Sequence, residues 1–361
     1  MTYKRLGDYI REVNVRNRDE KVTNLLGLSV SKEFMPSIAN TIGTDMSTYK
    51  IVKKNQLVYI ADTSRRGDKI AIALLKDYES AIVSQAYTVF EIIDSNKLLP
   101  KYLMMWFQRP EFDRYARFHS HGSAREIFDW DELCNVMLPL PSIDRQREIV
   151  EEYETLTNRI HLNEQMIQHL EATAQALYRK MFVDGIDKEN LPDGWRMGTL
   201  GEVAKINSGK TCINKSDVKD EYYKYPVAGA SGIIGFSPSY NYDEKLMTTG
   251  RVGTLGVVNR YNQKMYMADN VLVARSHFYE YCYQVLNSID YSEITKGGVQ
   301  SLITQTDLNE IATIIPSEDT LEKYEELSSS IYSFVEIKEC ENSKLKELQS
   351  LLLAKMGNLK Q

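Results

Sequence analysis

Sliding the chain against itself by 175 residues, the step from Gly122 to Gly297, lays one stretch onto a second copy of itself. The same step pairs Ile127 with Leu302, Leu133 with Leu308, Val136 with Ile311 and Pro141-Ser142 with Pro316-Ser317. It continues through Asp144 and Asp319, Leu170 and Leu345, Leu177 and Leu352, to Met181 and Met356, with no gap. A register held that long marks a duplicated unit, so the chain must build two similar bodies. A looser echo lies upstream. "RLGDYI" (5–10) resembles "TLGEVA" (199–204), and "SRRGD" (64–68) resembles "GRVGT" (250–254), at other offsets. Loops of different length therefore separate similar elements.

Each copy ends in a long helix. In "LPLPSIDRQREIV" (138–150), Pro139 and Pro141 end a strand and Asp144 is the expected N-cap. From there Ile149, Tyr153, Leu156, Ile160, Asn163, Ile167, Leu170, Ala174, Leu177 and Met181 step by four and three, the heptad seam of a coiled coil. In the second copy the seam is Tyr324, Leu327, Ile331, Phe334, Lys338, Glu341, Leu345, Leu348 and Leu352. Each helix would be roughly 57 Å long. If they pack antiparallel, Asn163 meets Lys338 and Glu341, either as a polar layer that fixes register or as a solvated edge. The lobes read as mixed strand and helix: "NQLVYIA", "KIAIALL" and "NVLVARS" are β-rich, and "PKYLMMWFQRPEF" (100–112) is a helix broken at Pro110.

The expected fold is thus α+β, two similar mixed α/β domains joined by two long helices in an antiparallel coiled coil with a pseudo-two-fold. The parts are residues 1–143, first domain; 144–182, first long helix; 183–197, linker; 198–318, second domain; 319–358, second long helix.

The formal charge of −6 argues against a polyanionic partner until it is divided. Residues 1–143 hold 20 basic and 18 acidic side chains, and 191–318 hold 12 and 14, so the lobes together are neutral. The acid excess lies in the helical segments, which leaves a basic face on a lobe open. Cys134, Cys212, Cys282 and Cys340 are scattered without a disulfide framework and are read as reduced thiols. With no apolar run long enough to span a membrane, the expectation is a soluble, cytoplasmic protein without a membrane partner.

Catalytic patterns fail one by one. "SGKT" (208–211) ends like a phosphate-binding loop, but Ala204 stands where that motif needs glycine. "GRVGTLG" (250–256) reads as a turn among short strands. His119 and His121 lack companion ligands at metal spacing, so no metal is expected. Neither an Asn-Pro-Pro-aromatic motif nor a PD…(D/E)xK pattern is present.

Several stretches together carry a resemblance. "LPLPSIDRQREIV", "LEATAQALYRKMF" (170–182), "LPDGWRMGTLGEVAKINSGKT" (191–211), "GSAREIFDWDEL" (122–133) and "GGVQSLITQTDL" (297–308) resemble the specificity subunits of type I DNA restriction-modification systems. The resemblance covers nearly the whole chain. It implies two target-recognition domains, each reading one half of a bipartite, asymmetric site on double-stranded DNA. It also implies docking of two methyltransferase subunits on the helices, recruitment of restriction subunits, and no catalysis by this chain. No cofactor would bind here; S-adenosylmethionine, ATP and Mg would belong to the partner subunits. Gln146 and Ile149 fit the family's proline, glutamine, isoleucine box, whereas Leu321 and Tyr324 depart from it, which implies a less regular second docking surface.

The variable lobes allow no carry-over of base contacts, so candidates come from chemistry. They are Arg65, Arg66, Lys69, Ser123 and Arg125 in the first lobe, and Lys210, Arg251, Lys296, Gln300 and Ser301 in the second. Arg and Gln can read guanine and adenine edges, and Lys grips phosphate. Each could equally be a solvated surface charge. A stand-alone nuclease with a coiled-coil arm and a protein-binding scaffold are the competing readings.

Overall fold

A computed structural model describes residues 3–37, 43–63, 67, 69–122, 126–294 and 302–357. The chain divides into two units, Met1–Asn163 with Cys340–Gln361, and Glu164–Glu339. Each long helix, Ile143–Phe182 and Glu318–Gly357, thereby gives one half to each unit.

The duplication is visible strand by strand. Unit 1 holds a four-stranded antiparallel sheet in the order Ile10–Val13, Thr88–Ile92, Leu57–Ile60, Ala71–Leu74. Unit 2 holds Lys205–Ser208, Val271–Arg275, Leu246–Gly250, Asn259–Tyr261 in the same relative order. In both, the first strand in the chain pairs with the last, and the second lies between the last and the third. A short strand before each sheet closes on the strand leading into the long helix: Tyr3–Arg5 on Met137–Pro139, and Arg196–Thr199 on Ala312–Ile315.

The upstream echo has a steric cause. Leu6 and Leu200 are fully buried, and their amides donate to Val136 and Ile311 carbonyls at 2.8 and 2.9 Å. The following glycines sit under short helices that start at Trp130 and Gln305. A Cβ on Gly7 would lie 2.8 Å from Cys134 Cβ, and one on Gly201 would lie 2.9 Å from Asn309 Oδ1 and 3.2 Å from its backbone oxygen. Cys134 and Asn309 are themselves a pair in the repeat. Gly7→Ala should therefore cost about 1–3 kcal/mol by overpacking, read as a lowered denaturation midpoint; wild-type stability would disprove the close approach.

Both long helices begin two residues earlier than Asp144 and its counterpart Asp319 would place them. Ser142 is the N-cap: its Oγ accepts from the Arg145 amide at 3.3 Å and its carbonyl from Gln146 at 3.0 Å. Ser317 opens the second helix through its carbonyl, which accepts from the Thr320 and Leu321 amides at 3.1 and 3.0 Å, while its hydroxyl shares a 2.8 Å hydrogen bond with that of Thr320. Asp144 sits within the first turn and pairs with Arg147.

The altered box in the second copy is compensated nearby. Gln146, fully buried, accepts from the Leu99 amide and donates to the Lys97 and Pro141 carbonyls, holding the start of helix Pro100–Gln108. Leu321 cannot do this. One turn further on, Glu325 accepts from the Glu280 and Tyr281 amides at 3.1 and 2.8 Å, capping helix Tyr279–Ser288.

Within each unit the helix halves run antiparallel. In unit 1 the Arg159 guanidinium meets Glu341 at 2.6 Å and the Gln349 amide donates to Thr157. In unit 2, Ala174 packs with Tyr332 and Val335, and Phe182 lies edge-on to Tyr324. Along the first helix Ile149, Ile160 and Asn163 are buried, and Tyr153, Leu156, Ile167, Leu170 and Leu177 are half-buried.

The second helix corrects part of the expected seam, keeping Tyr324 buried and Ile331 packed against the cluster of Ala174, Tyr332 and Val335. Ile331, Lys338, Leu345 and Leu352 are only half-buried, while Leu327, Phe334 and Leu348 face solvent. The buried row is Tyr324, Ser328, Tyr332, Val335, Asn342, Leu353 and Met356. Counting apolar residues misses it because Ser328 and Asn342 belong to the inward face. The partner of Asn163 is accordingly Asn342, whose Oδ1 accepts from the Asn163 amide at 2.9 Å with both residues buried. Glu341 pairs with Arg159 instead, and Lys338 falls in unit 2.

Candidate nucleic-acid interface

The two sheets share a particular end, where the second strand turns into the third. In unit 2 this end gathers four segments. The Gly209 amide donates to Val271, Lys210 to Met267, Arg251 to Asn270 and Ile303 to Arg251, at 2.9–3.1 Å. Val252 also bridges to Leu302. The glycines are obligatory: a Cβ on Gly209 would fall 1.9 Å from the Ala268 oxygen, and one on Gly250 would fall 1.8 Å from the Thr254 oxygen. This explains "SGKT" and "TGRVG" without any nucleotide-binding role.

In unit 1 the corresponding end brings Ala61, Asp62 and Thr63 beside Glu126, Ile127 and Phe128. The Thr63 amide donates to Glu126 at 3.0 Å, Phe128 to Ala61 at 2.9 Å, and His121 and Ile127 exchange bonds at 3.0 and 2.9 Å. Phe128 and Ile303, partners in the repeat, are both fully buried and anchor these junctions. The described flanks of the loops named from sequence thus converge, Thr63 with Glu126, and Arg251 and Val252 with Ile303 and Leu302, because the same strand order places them there. The His119 and His121 rings both lie against Glu132, at 3.3 and 3.5 Å. Among the described residues no group of three His, Cys, Asp or Glu could hold a metal ion.

Of the residues proposed from sequence, Lys69 and Lys210 are exposed and Arg251 is half-buried. Lys210 and Arg251 are placed at one sheet end, on either side of the strand Val271–Arg275, by backbone bonds to Met267 and Asn270 in the segment that leads into it. The Arg251 Nε is buried without a hydrogen-bond partner among the described residues. Arg65, Arg66, Ser123, Arg125, Lys296, Gln300 and Ser301 lie outside the described residues; their flanks, Thr63, Glu126 and Leu302, are the junctions just described.

Sequence reasoning missed the segment that leaves the first strand of each sheet. In unit 1 it carries Arg16, Arg18 and Lys21; Arg16 donates to the Thr48 carbonyl, and Lys21 pairs with Asp19 at 2.9 Å. The hydrogen bond from Lys21 holds the Asp19 carboxyl below its usual range. In unit 2 the same position carries Lys215, Lys219 and Lys224, the last over the Tyr225 ring at 5.1 Å. The signal was the alternation of lysine and tyrosine in "KSDVKDEYYKY", a composition suited to phosphates and bases. Under the 251–256 turn, Gly256 (φ +79°) lets the backbone pass over the Tyr291 ring. Burial pushes that phenol up to about 12, so it is neutral at physiological pH.

Such an end, with polar and cationic loops on a rigid sheet, can grip phosphates and present donors to base edges. Among the described residues, no helix is long and apolar enough to cross a membrane.

Comparison with known proteins agrees with this geometry. The family model of the type I restriction modification DNA specificity domain matches residues 21–172 and again 192–348. The MjaIX specificity subunit of Methanocaldococcus jannaschii is 22% identical over 309 residues, which are 73% of this chain and 70% of that protein. The HindI specificity subunit of Haemophilus influenzae is 25% identical over 186 residues, half of this chain and 40% of that protein. A crystal structure of a type I restriction-modification S subunit from M. genitalium superposes with a TM-score of 0.62. It is 16% identical and covers 98% of this chain and 95% of that one, so it speaks to the fold.

Proposed function

The chain belongs to the type I restriction-modification DNA specificity family, and we propose that it reads a bipartite, asymmetric DNA site, one half-site per unit. The observation that carries this reading is the repeated sheet end with unlike side chains: Arg16, Arg18 and Lys69 in one unit, Lys210 and Arg251 in the other. One scaffold with two different sets of loops suits two half-sites of different sequence. The undescribed residues Arg125 and Gln300 extend the same logic, since they occupy matched positions in the repeat with different readout chemistry.

In this reading the chain itself makes and breaks no bond and works in the cytoplasm. Two methyltransferase subunits dock on the long helices, where Leu162, Met166, Phe334, Ile337 and Leu351 are exposed. Restriction subunits complete the assembly, and S-adenosylmethionine, ATP and Mg are held by those partners.

The test is genome-wide mapping of methylated adenine in cells with and without this chain. A two-part motif present with the chain and lost on its deletion is expected. Methylation at the same sites in the deletion strain would refute the assignment.

A further inference from the structure

Ile213 is 95% exposed, the most solvent-facing large apolar side chain among the described residues, and it does not stand on a slack loop. On one side of it, the Lys210 amide donates to Met267 at 2.9 Å, the Thr211 hydroxyl to Asp269 at 2.8 Å, and the Tyr266 hydroxyl to the Thr211 carbonyl at 3.0 Å. On the other, the Tyr223 hydroxyl donates to Asn214 at 2.7 Å, and Ser216 exchanges backbone bonds with Phe236 at 2.9 and 2.8 Å. Residues on both sides are tied down, so the loop cannot fold its isoleucine inward. Ile213 is not alone, since Val218 and Tyr222 of the same segment are 70% and 61% exposed, and apolar surface gathered on one segment marks an interaction site.

The surroundings select the partner. Lys210 and Lys215 flank the tip in sequence; Lys210 is exposed, and Lys215 donates to the Ile234 carbonyl at 3.0 Å. The loop leaves the same sheet end as Arg251, across the strand Val271–Arg275 from it, where Gly209 and Gly250 keep side chains out of the way. An apolar tip between cations fits a duplex, with phosphates outside and an apolar base feature within. We propose that Ile213 is a specificity-determining residue that makes apolar contact with one base pair of the half-site read by unit 2. This rests on the DNA-reading function proposed above.

The test uses the chain assembled with its methyltransferase subunits and duplexes with or without the mapped site. Ile213→Ser should bind the target duplex about tenfold more weakly and leave binding to the target-free duplex unchanged. Methylation mapping should show relaxed sequence at one position of that half-site only, while Ile213→Leu keeps wild-type behaviour. If the contact is a thymine methyl, one thymine-to-uracil change in the target weakens the wild type as much as the variant and adds nothing to the variant. If the side chain enters the base stack, 2-aminopurine beside that step brightens with the wild type and not with Ile213→Ser. Wild-type affinity and motif in Ile213→Ser would overturn the inference while the DNA reading stood. A wild-type complex that does not distinguish the two duplexes would overturn both.

Discussion

Glu280→Gln is expected to destabilise unit 2 by about 3–5 kcal/mol, the cost of breaking a buried ion pair by removing one partner. Glu280 is fully buried, receives both Arg260 nitrogens at 2.6 and 2.8 Å, and holds Lys245 at 2.9 Å. The Arg260 guanidinium lies 3.7 Å from the centre of the Tyr332 ring, and Lys245 lies 4.1 Å from that of Tyr279. The cluster joins a sheet strand (Asn259–Tyr261), the helix Tyr279–Ser288 and the second long helix. A glutamine would leave Arg260, whose side chain is only 16% exposed, facing a neutral amide, while Lys245, 37% exposed, keeps its contact with water. Urea denaturation measures the loss; a change below about 1 kcal/mol would show that the interior is wetter than its geometry implies. Replacing both partners with apolar residues of like volume should restore most of the stability.

Inserting one heptad into each long helix, at Asn163 and at Asn342, is expected to lengthen the unread spacer of the target and leave both half-site sequences alone. Seven residues add about 10 Å, which is about three base pairs of duplex. A heptad keeps the seam in register, so the Asn163–Asn342 pair has an equivalent after the insertion. Methylation mapping reads the outcome directly. A motif with its original spacer would mean that the helices do not set the distance between half-sites, and a changed half-site would mean that the insertion disturbed a unit's own fold.

Much of this architecture was legible in the residues. The constant offset named the duplication, and the prolines marked where each long helix starts to within two residues, with Asp144 read as the N-cap where Ser142 takes that place. The first seam was readable because Ile149, Ile160 and their neighbours form a single apolar row. The second helix carries two adjacent apolar rows, and only its partner decides which turns inward. That choice buried Ser328 and Asn342 and left Phe334 outside. The candidate site was legible in part. Glycine-bounded loops pointed to Lys210 and Arg251, but nothing local said that their backbones would bond to one segment, Met267–Asn270, at one sheet end, because that arises from strand order.

By itself, then, the sequence determined that there are two similar units, that two long helices follow them, and that the lobes differ most in their loops. These are properties of periodicity and self-similarity, written along the chain. Tertiary structure decided the inward face of the second helix, the replacement of Gln146 by Glu325 as a cap, the ion cluster at Glu280, and the exposed, pinned tip at Ile213. Each of these depends on which distant groups compete for the same space or hydrogen bond, and that competition exists only once the chain has folded.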